Sequence, residues 1–248
     1  MTEKLINIGN IPVKLYSAES PRGAVIAVHG FGGSKQSGAI EGLAKRVCTE
    51  GLSVIAFDLP AHGERSDSIE ALDPRNVIKE IMTIEKFAAE SIGGELYTFA
   101  TSFGGMNMLH RLAMGQAPYK RVVLRVPAVN MANTVVTISA ACDNYFSMEK
   151  AEKEGFRIKL SKEFVLPYQF YEMLKGASCL RTDAAWNDSR ILTIYAENDE
   201  LVSPADTQEF LRLNPEMKSL CAKGSPHHIL EPRLLSQVLD SAAEFILG

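Results

Sequence analysis

Several features that mark special classes of protein are scarce or missing in these 248 residues. The four cysteines are scattered and form no CxxC pair or zinc-ligand cluster, so neither a disulfide framework nor a zinc site is predicted. Apolar runs stay far below the roughly 18 residues that a membrane span needs. The first twenty residues also lack the apolar stretch of a secretory signal. We therefore expect a cytoplasmic protein with no membrane span.

A large excess of charge of either sign is also missing. The net charge is −4 and no run of like charge is longer than a few residues, which argues against a nucleic-acid or anionic-membrane surface. Hydrophobic residues make up 46% of the chain and charged residues 23%, which is the usage of an ordinary globular protein. We expect a small-molecule partner and no nucleic acid, and an oligomer stays open.

Strand-like and helix-like segments alternate along most of the chain. Buried-strand patterns are separated by amphipathic segments that begin and end on helix-capping signals. This alternation predicts an α/β fold with a mostly parallel sheet covered by helices on both faces. A β-hairpin over 5–17 precedes it, and the predicted core strands lie at 24–28, 53–57, 95–100, 121–126, 191–196 and 218–222.

The alternation is interrupted between residues 130 and 186. This stretch shows no buried strand and contains a charged helical segment at 147–154 and an aromatic-rich one at 164–174. We expect one α/β core formed by residues 1–129 and 187–248, interrupted by a small cap at residues 130–186.

The strongest chemical signal is the stretch 97–105, in which a strand runs directly into Ser102, a glycine pair and a helix. A sharp strand-to-helix turn would project the serine side chain above the sheet and would need small residues two positions before and after it. Ala100 and Gly104 meet this need, although alanine replaces the usual glycine. A serine that merely caps a helix is the alternative.

Two further loops carry a family resemblance. The letters H-G-F-G-G at 29–33 follow the first core strand, and D-L-P-A-H-G-E-R-S at 58–66 follow the next. With the serine turn, they resemble the α/β-hydrolase superfamily, in particular small bacterial carboxylesterases similar in layout to cinnamoyl and feruloyl esterases. The resemblance implies an α/β-hydrolase fold, an oxyanion hole formed by the backbone N–H groups of Phe31 and Phe103, and a structural role for Asp58 and His62.

The same resemblance implies the partners of the serine. A-E-N-D-E-L-V at 196–202 matches the family's acid loop with Asp199 as the acid, and Glu197 and Glu200 are competitors. His227 aligns with the base histidine, and His228 is the alternative. The order serine, acid, histidine along the chain is that of this superfamily.

The implied activity is cleavage of a carboxylic ester by a Ser-His-Asp acyl-enzyme mechanism, which needs no metal or organic cofactor. Thioester, amide and peptide bonds stay open as substrates of the same machinery. A non-catalytic ligand-binding homologue is the alternative of a different class.

Aromatic residues are concentrated in the predicted cap. The spacing of Phe164, Tyr168 and Tyr171 predicts one helical face, which we expect to form an apolar roof over Ser102, with Tyr168 and Tyr171 binding substrate. Small uncharged or aromatic acyl esters are then the expected substrates. The alternative is that these rings only pack the cap onto the core. Seven aromatic residues lie between positions 145 and 171: Tyr145, Phe146, Phe156, Phe164, Tyr168, Phe170 and Tyr171.

Overall fold

A central β-sheet dominates the computed structural model, which describes residues 1–160 and 163–248. The described strands are β1 (Thr2–Ile8), β2 (Ile11–Ser17), β3 (Gly23–Val28), β4 (Leu52–Phe57), β5 (Glu95–Thr101), β6 (Tyr119–Arg125), β7 (Phe156–Lys159), β8 (Glu163–Leu166), β9 (Ile191–Ala196) and β10 (Lys218–Ala222).

Eight of these strands form the main sheet in the order β1-β2-β4-β3-β5-β6-β9-β10. The strands from β4 to β10 in this order pair in parallel, whereas β1 and β2 form an antiparallel hairpin at one edge. This arrangement confirms the predicted α/β fold with a mostly parallel sheet. Since parallel strands share a direction, the loops that follow β3, β4, β5, β6, β9 and β10 all leave from the same edge of the sheet.

Helices cover both faces of the sheet and connect its strands. They are α1 (Gly38–Val47), α2 (Pro74–Ser91), α3 (Phe103–Ala113), α4 (Met131–Cys142), α5 (Met148–Glu154), α6 (Tyr168–Gly176), α7 (Pro204–Leu213) and α8 (Pro232–Leu247). The sequence explains the start of α2, because the Asp73 side chain accepts a hydrogen bond from Arg75 N and Pro74 occupies the first turn. None of the described helices is long and apolar enough to cross a membrane.

The core consists of two apolar layers, one on each face of the sheet. Strand β3 shows why: Val25 packs with α1 and α8, whereas Ile26 packs with α2 and α3 on the other face. All six residues of β3 are buried, as expected for a central parallel strand. Full burial of one such Val or Ile side chain contributes roughly 1.5–3 kcal/mol, so these strands hold the loops at the sheet edge firmly in place.

Residues 130–186 lie outside the main sheet, and here one expectation was wrong. The stretch contains a two-stranded antiparallel sheet formed by β7 and β8, in which alternate residues are buried. Phe164 lies in β8, and α6 begins only at Tyr168, after Pro167 in an extended conformation. Phe164, Tyr168 and Tyr171 therefore do not share one helical face, since proline stops the helix from extending backwards.

Side-chain contacts fasten this segment to the rest of the molecule. The Asp206 carboxylate on α7 accepts hydrogen bonds from Asn130 Nδ2 and Asn133 Nδ2, both at 3.0 Å. The Phe164 ring packs against the Phe31 ring, with 4.7 Å between their centroids. The segment is thus anchored beside the loop that follows β3.

Candidate active site

Ser102 occupies a strained turn between β5 and α3. Its φ of 52° and ψ of −116° lie outside the regions that residues other than glycine prefer. Backbone strain of this kind costs on the order of 1–3 kcal/mol and persists where the surroundings enforce it. Two hydrogen bonds do so: Ser102 N donates to Arg125 O at 2.9 Å, and Ala128 N donates to Ser102 O at 3.0 Å. The turn holds the serine side chain at the edge of the sheet.

Close backbone packing explains why small residues surround this turn. A Cβ on Gly104 would lie 2.5 Å from His29 O, and one on Gly30 would lie 3.0 Å from Ser102 Cβ. Gly104 therefore cannot be replaced without moving the backbone, and a side chain at position 30 would press on Ser102 itself. Ala100 is fully buried in β5 and fits there without exposure, so the alanine in the serine motif is accommodated.

Ser102, His227 and Asp199 form one hydrogen-bonded chain. His227 Nε2 lies 3.2 Å from Ser102 Oγ, and His227 Nδ1 lies 2.8 Å from Asp199 Oδ2 and 3.0 Å from Asp199 Oδ1. An ionised carboxylate only accepts hydrogen bonds, so Nδ1 carries the proton and Nε2 presents its lone pair to the serine hydroxyl. All three side chains come from loops at the same edge of the sheet.

Neighbouring groups fix the acid and the histidine in place. Asp199 Oδ1 also accepts hydrogen bonds from Leu201 N at 3.0 Å and Val202 N at 2.8 Å. Glu200 Oε2 accepts a hydrogen bond from His227 N at 2.9 Å, which ties the histidine loop to the acid loop. Glu200 thus forms its hydrogen bond with the backbone of His227, whereas Asp199 forms its hydrogen bonds with the ring.

Glu197 and His228, which compete with Asp199 and His227 in the sequence, make different contacts. Glu197 accepts hydrogen bonds from Lys223 Nζ at 3.1 Å and Gly224 N at 2.8 Å. The His228 ring stands beside the His227 ring, with 5.4 Å between centroids, and burial lowers its pKa. Of the two histidines, His227 is the one that contacts both Ser102 and Asp199.

The two amides expected to form an oxyanion hole are available. Within residues 1–160 and 163–248, neither Phe31 N nor Phe103 N donates to a protein acceptor. Phe103 is the first residue of α3, where an N–H has no partner within the helix and the helix dipole favours negative charge. The two rings meet edge to face at 6.0 Å, which holds the β3 loop against the serine turn.

A second buried cluster lies in the loops after β3 and β4. Asp58 accepts hydrogen bonds from Lys35 N and Lys35 Nζ, both at 2.7 Å, and from Glu64 N at 3.0 Å. His29 Nδ1 lies 2.7 Å from Gly30 O, while its Nε2 accepts a hydrogen bond from Leu59 N at 3.1 Å. Burial lowers the pKa of His29 to about 4, so its ring is neutral at pH 7. The structural role that the resemblance implied for Asp58 agrees with these contacts.

A cavity of about 530 Å³ opens above Ser102. Its wall on the side of residues 130–186 is mainly apolar, with Met131, Ile138 and Leu160 beside Thr134. Tyr168 and Tyr171 do not line this cavity; both stack on Phe156 within the 130–186 segment, with centroids 6.2 and 4.5 Å apart. The structure therefore does not bring these two tyrosines to Ser102, which favours the packing alternative for them.

Arg125 is a cavity residue that the sequence analysis missed. It ends β6, is 6% exposed and lines the cavity together with Ser102 and His227. The available signal was a charged side chain inside an otherwise apolar strand sequence, V-V-L-R-V at 122–126. Among the described residues, no group of three or more His, Cys, Asp or Glu side chains could hold a metal ion.

Solved structures resemble the whole chain. Est1E from Butyrivibrio proteoclasticus, solved with ferulic acid bound, has a TM-score of 0.74 at 17% identity, with 98% of each chain covered. A putative hydrolase from Agrobacterium vitis has a TM-score of 0.76 at 13% identity, covering 99% of this chain and 98% of the other. An esterase from Pyrococcus furiosus has a TM-score of 0.70 at 16% identity, covering 100% of this chain and 91% of the other. No curated protein matches the sequence.

These likenesses, with the sheet order and the serine turn, define an α/β-hydrolase fold, as predicted. A family model described as "Serine aminopeptidase, S33" matches residues 19–152, which is more than half of the chain. The chain belongs to this hydrolase family. At identities this low, the solved structures establish the fold and leave the substrate to be argued from the site.

Proposed function

We propose that this protein is a serine hydrolase that cleaves a carboxylic ester through an acyl-enzyme. One observation carries the proposal: the hydrogen-bonded chain from Ser102 through His227 to Asp199 at the floor of a cavity. Serine is a weak nucleophile by itself and needs an adjacent base, which in turn needs a group to orient it. The three side chains have that arrangement.

Each residue has a separate task in the proposed reaction. His227 Nε2 takes the proton from Ser102 Oγ as the oxygen attacks the ester carbonyl, and it then passes that proton to the leaving alcohol. Asp199 keeps the proton of the neutral ring on Nδ1 and stabilises the imidazolium that forms. The amides of Phe31 and Phe103 donate to the oxyanion, a contribution of roughly 2.7–4 kcal/mol for each donor in comparable enzymes. Water activated by His227 then releases the acid.

The charge of the cavity favours an ester over the amino-terminal peptide bond that the family description suggests. An aminopeptidase must hold the ammonium group of its substrate, and a carboxylate is the usual partner. Among the described residues, none that lines the cavity is Asp or Glu, whereas Arg125 does line it. A guanidinium in a desolvated site repels an ammonium group.

The apolar wall supports a small uncharged or aromatic acyl group. Met131, Ile138 and Leu160 come from the 130–186 segment, which we propose acts as a cap over the site. A cavity of about 530 Å³ lies within the usual range for a small-molecule ligand. Tyr168 and Tyr171 do not contribute to this proposal, because they pack inside the cap.

Hydrolysis of 4-nitrophenyl esters with graded and aromatic acyl chains tests the proposal. We expect the wild-type protein to turn over short and aromatic acyl esters and to leave leucine 4-nitroanilide, an aminopeptidase substrate, intact. Ser102→Ala should abolish ester turnover, whereas Ser91→Ala, which changes an exposed serine at the end of α2, should not. Turnover of the anilide in preference to every ester would contradict the ester assignment.

A further inference from the structure

The guanidinium of Arg125 is a buried charge that the proposed reaction does not use. Arg125 Nη2 donates to His228 O at 3.0 Å, and this is its one protein acceptor among the described residues. Its Nε is buried without an acceptor, and within residues 1–160 and 163–248 no carboxylate forms an ion pair with it. Buried donors without acceptors are rare in proteins and ask for an explanation.

The charge state of Arg125 is secure at neutral pH. Burial lowers the pKa of Arg125 to about 10, and the nearby charge of Asp199 works against this lowering. The carboxylate of Asp199 is already occupied by His227 and by two backbone amides. A positively charged residue therefore lines the cavity without a carboxylate as its ion-pair partner.

A second, independent source of positive potential lines the same cavity. The amino-terminal end of α1 lies there, with Ser37, Gly38 and Ala39 in the cavity wall. The Ser37 side chain makes no capping hydrogen bond, and the first amides of α1 have no protein acceptor among the described residues. The amino-terminal end of a helix attracts anions through such free N–H groups and through its dipole.

The position of Arg125 relative to His227 indicates which part of a substrate it meets. Arg125 Nη2 contacts the backbone of His228, the residue that follows His227. The apolar lining residues Met131, Ile138 and Leu160 come from the 130–186 segment instead. His227 must deliver its proton to the leaving oxygen, so the leaving group lies on the side of the histidine loop.

We propose that Arg125 and the amino-terminal end of α1 bind a carboxylate carried by the leaving alcohol of the ester. The planar guanidinium matches the two oxygens of a carboxylate, and a pair of opposite charges gains strength in a desolvated cavity. The substrate class is then an ester with an uncharged acyl group and a carboxylated alcohol. This inference rests on the proposed ester hydrolysis and names its substrate more narrowly.

Paired substrates separate this role from a merely structural one. The first pair is 4-carboxyphenyl butyrate and its methyl ester, 4-(methoxycarbonyl)phenyl butyrate, which differ in one negative charge on the leaving group. The measured quantity is the ratio of their kcat/KM values, since effects on catalysis or folding that are common to both substrates cancel. Arg125→Met should lower this ratio by about 10- to 100-fold, the size expected for losing a charged hydrogen-bonded pair, chiefly through KM.

Two further variants serve as controls. Arg125→Lys keeps the charge but loses the planar guanidinium that can donate two parallel hydrogen bonds, so it should restore part of the ratio. Arg233→Met removes the same charge from an exposed position in the first turn of α8 and should leave the ratio unchanged. If Arg125→Met lowers both kcat/KM values alike, Arg125 only supports the His228 loop and the inference fails. If Arg233→Met lowers the ratio as much as Arg125→Met does, general surface charge explains the effect and the inference also fails.

A second substrate pair tests the position of the charge. For 4-nitrophenyl hydrogen succinate and 4-nitrophenyl methyl succinate, the charge lies on the acyl group instead. We expect their ratio to be the same in the wild type and in Arg125→Met. A fall of this ratio in place of the first one would move the carboxylate to the acyl side and overturn the assignment to the leaving group.

A binding measurement distinguishes failure of this inference from failure of the proposed function. Calorimetric titration of the Ser102→Ala protein with 4-hydroxybenzoate should show binding that is lost in the Ser102→Ala, Arg125→Met double variant. Because no hydrolysis is involved, this result would support the anion site even if the wild type cleaved no ester. Binding that is equal in the two proteins would overturn it, even if neutral esters were cleaved.

Discussion

Two clusters of acid and histidine lie at the same edge of the sheet and have opposite properties. In one, Asp199 contacts His227, and the far side of the His227 ring meets Ser102 at the floor of a cavity. In the other, Asp58 accepts hydrogen bonds from Lys35 and from the backbone amide of Glu64. Both ring nitrogens of His29 form hydrogen bonds with backbone groups. The residue types are the same, so hydrogen-bond partners distinguish the site proposed for catalysis from the structural one.

This comparison shows why a buried acid or histidine is weak support for catalysis by itself. Asp58 and His29 are each at most 2% exposed and lie next to a strand end, as a catalytic pair would. Their hydrogen bonds connect the loops that follow β3 and β4. His227 keeps one nitrogen for the serine. Changes in the first cluster should therefore affect the chemistry, and changes in the second should affect stability.

The largest expected effect comes from His227. His227→Ala should lower kcat by about 10⁴- to 10⁶-fold, because it removes the base and leaves Ser102 Oγ without an acceptor for its proton. The melting temperature should change little, since the ring packs at the cavity floor and not in either apolar layer. Steady-state kinetics and calorimetry measure the two effects. His228→Ala is the matched control and should be far milder; the reverse order would show that His228 is the base.

The two acids sharpen the comparison further. Asp199→Asn should lower kcat by about 10⁴-fold with the fold intact, because the amide favours the wrong tautomer of His227. Asp58→Asn should instead lower the free energy of unfolding by about 1–3 kcal/mol, since it removes the buried partner of Lys35 and leaves that ammonium only the exposed carboxylate of Glu64 at 3.0 Å. Denaturant titration and kinetics on both variants measure this. A large stability loss in Asp199→Asn with normal kcat would break the distinction.

Much of this architecture could be predicted from the sequence because it is local. A few neighbouring residues are enough to predict the turn at 9–10, the helix start at Asp73-Pro74 and the buried strand β3. The serine turn was recognisable because its crowding restricts neighbouring residues to small types. The expected contacts between Ser102, His227 and Asp199 are present in the structure, and their catalytic roles stay a prediction.

Other features depend on contacts between distant segments and could not be predicted in this way. Strands β7 and β8 have four residues each, so their alternation is too short to stand out from a loop, although F-R-I-K does alternate. The stacking of Tyr168 and Tyr171 on Phe156 depends on how that small sheet meets α6. Arg125 became notable only when burial and the missing acceptors were visible together.

The neutral state of His29 makes stability depend on pH. Its pKa is about 4 in the folded protein against an ordinary value of 6.5. Between these values the unfolded chain takes up a proton that the folded protein excludes, so the free energy of unfolding falls as pH falls from about 6.5 to 4. The contribution of His29 to this loss should be roughly 3 kcal/mol, so the total loss should be smaller by about that amount in His29→Gln, whose side chain does not titrate. Urea titrations at pH 7.5 and 4 compare the two proteins, and equal losses would contradict the buried neutral ring.

The smallest expected effect concerns the 130–186 segment. Tyr171→Ala should lower the free energy of unfolding by about 1–2 kcal/mol, because its ring is half-buried and stacks on Phe156. Relative kcat/KM values across acyl chain lengths should stay as in the wild type. Tyr145→Ala, at a ring that is 86% exposed, is the control and should be nearly neutral. A shift in acyl preference in Tyr171→Ala would show that Tyr171 takes part in substrate binding.

The central claim is that Ser102 is an activated nucleophile, and covalent labelling tests it most directly. A fluorophosphonate probe followed by intact-mass and peptide mass spectrometry should show one adduct, located on Ser102. Labelling should be absent in Ser102→Ala and much slower in His227→Ala. Removing the buried neutral ring in His29→Gln should leave the single adduct on Ser102. An unlabelled wild type, or an adduct on another residue that persists in Ser102→Ala, would contradict the account.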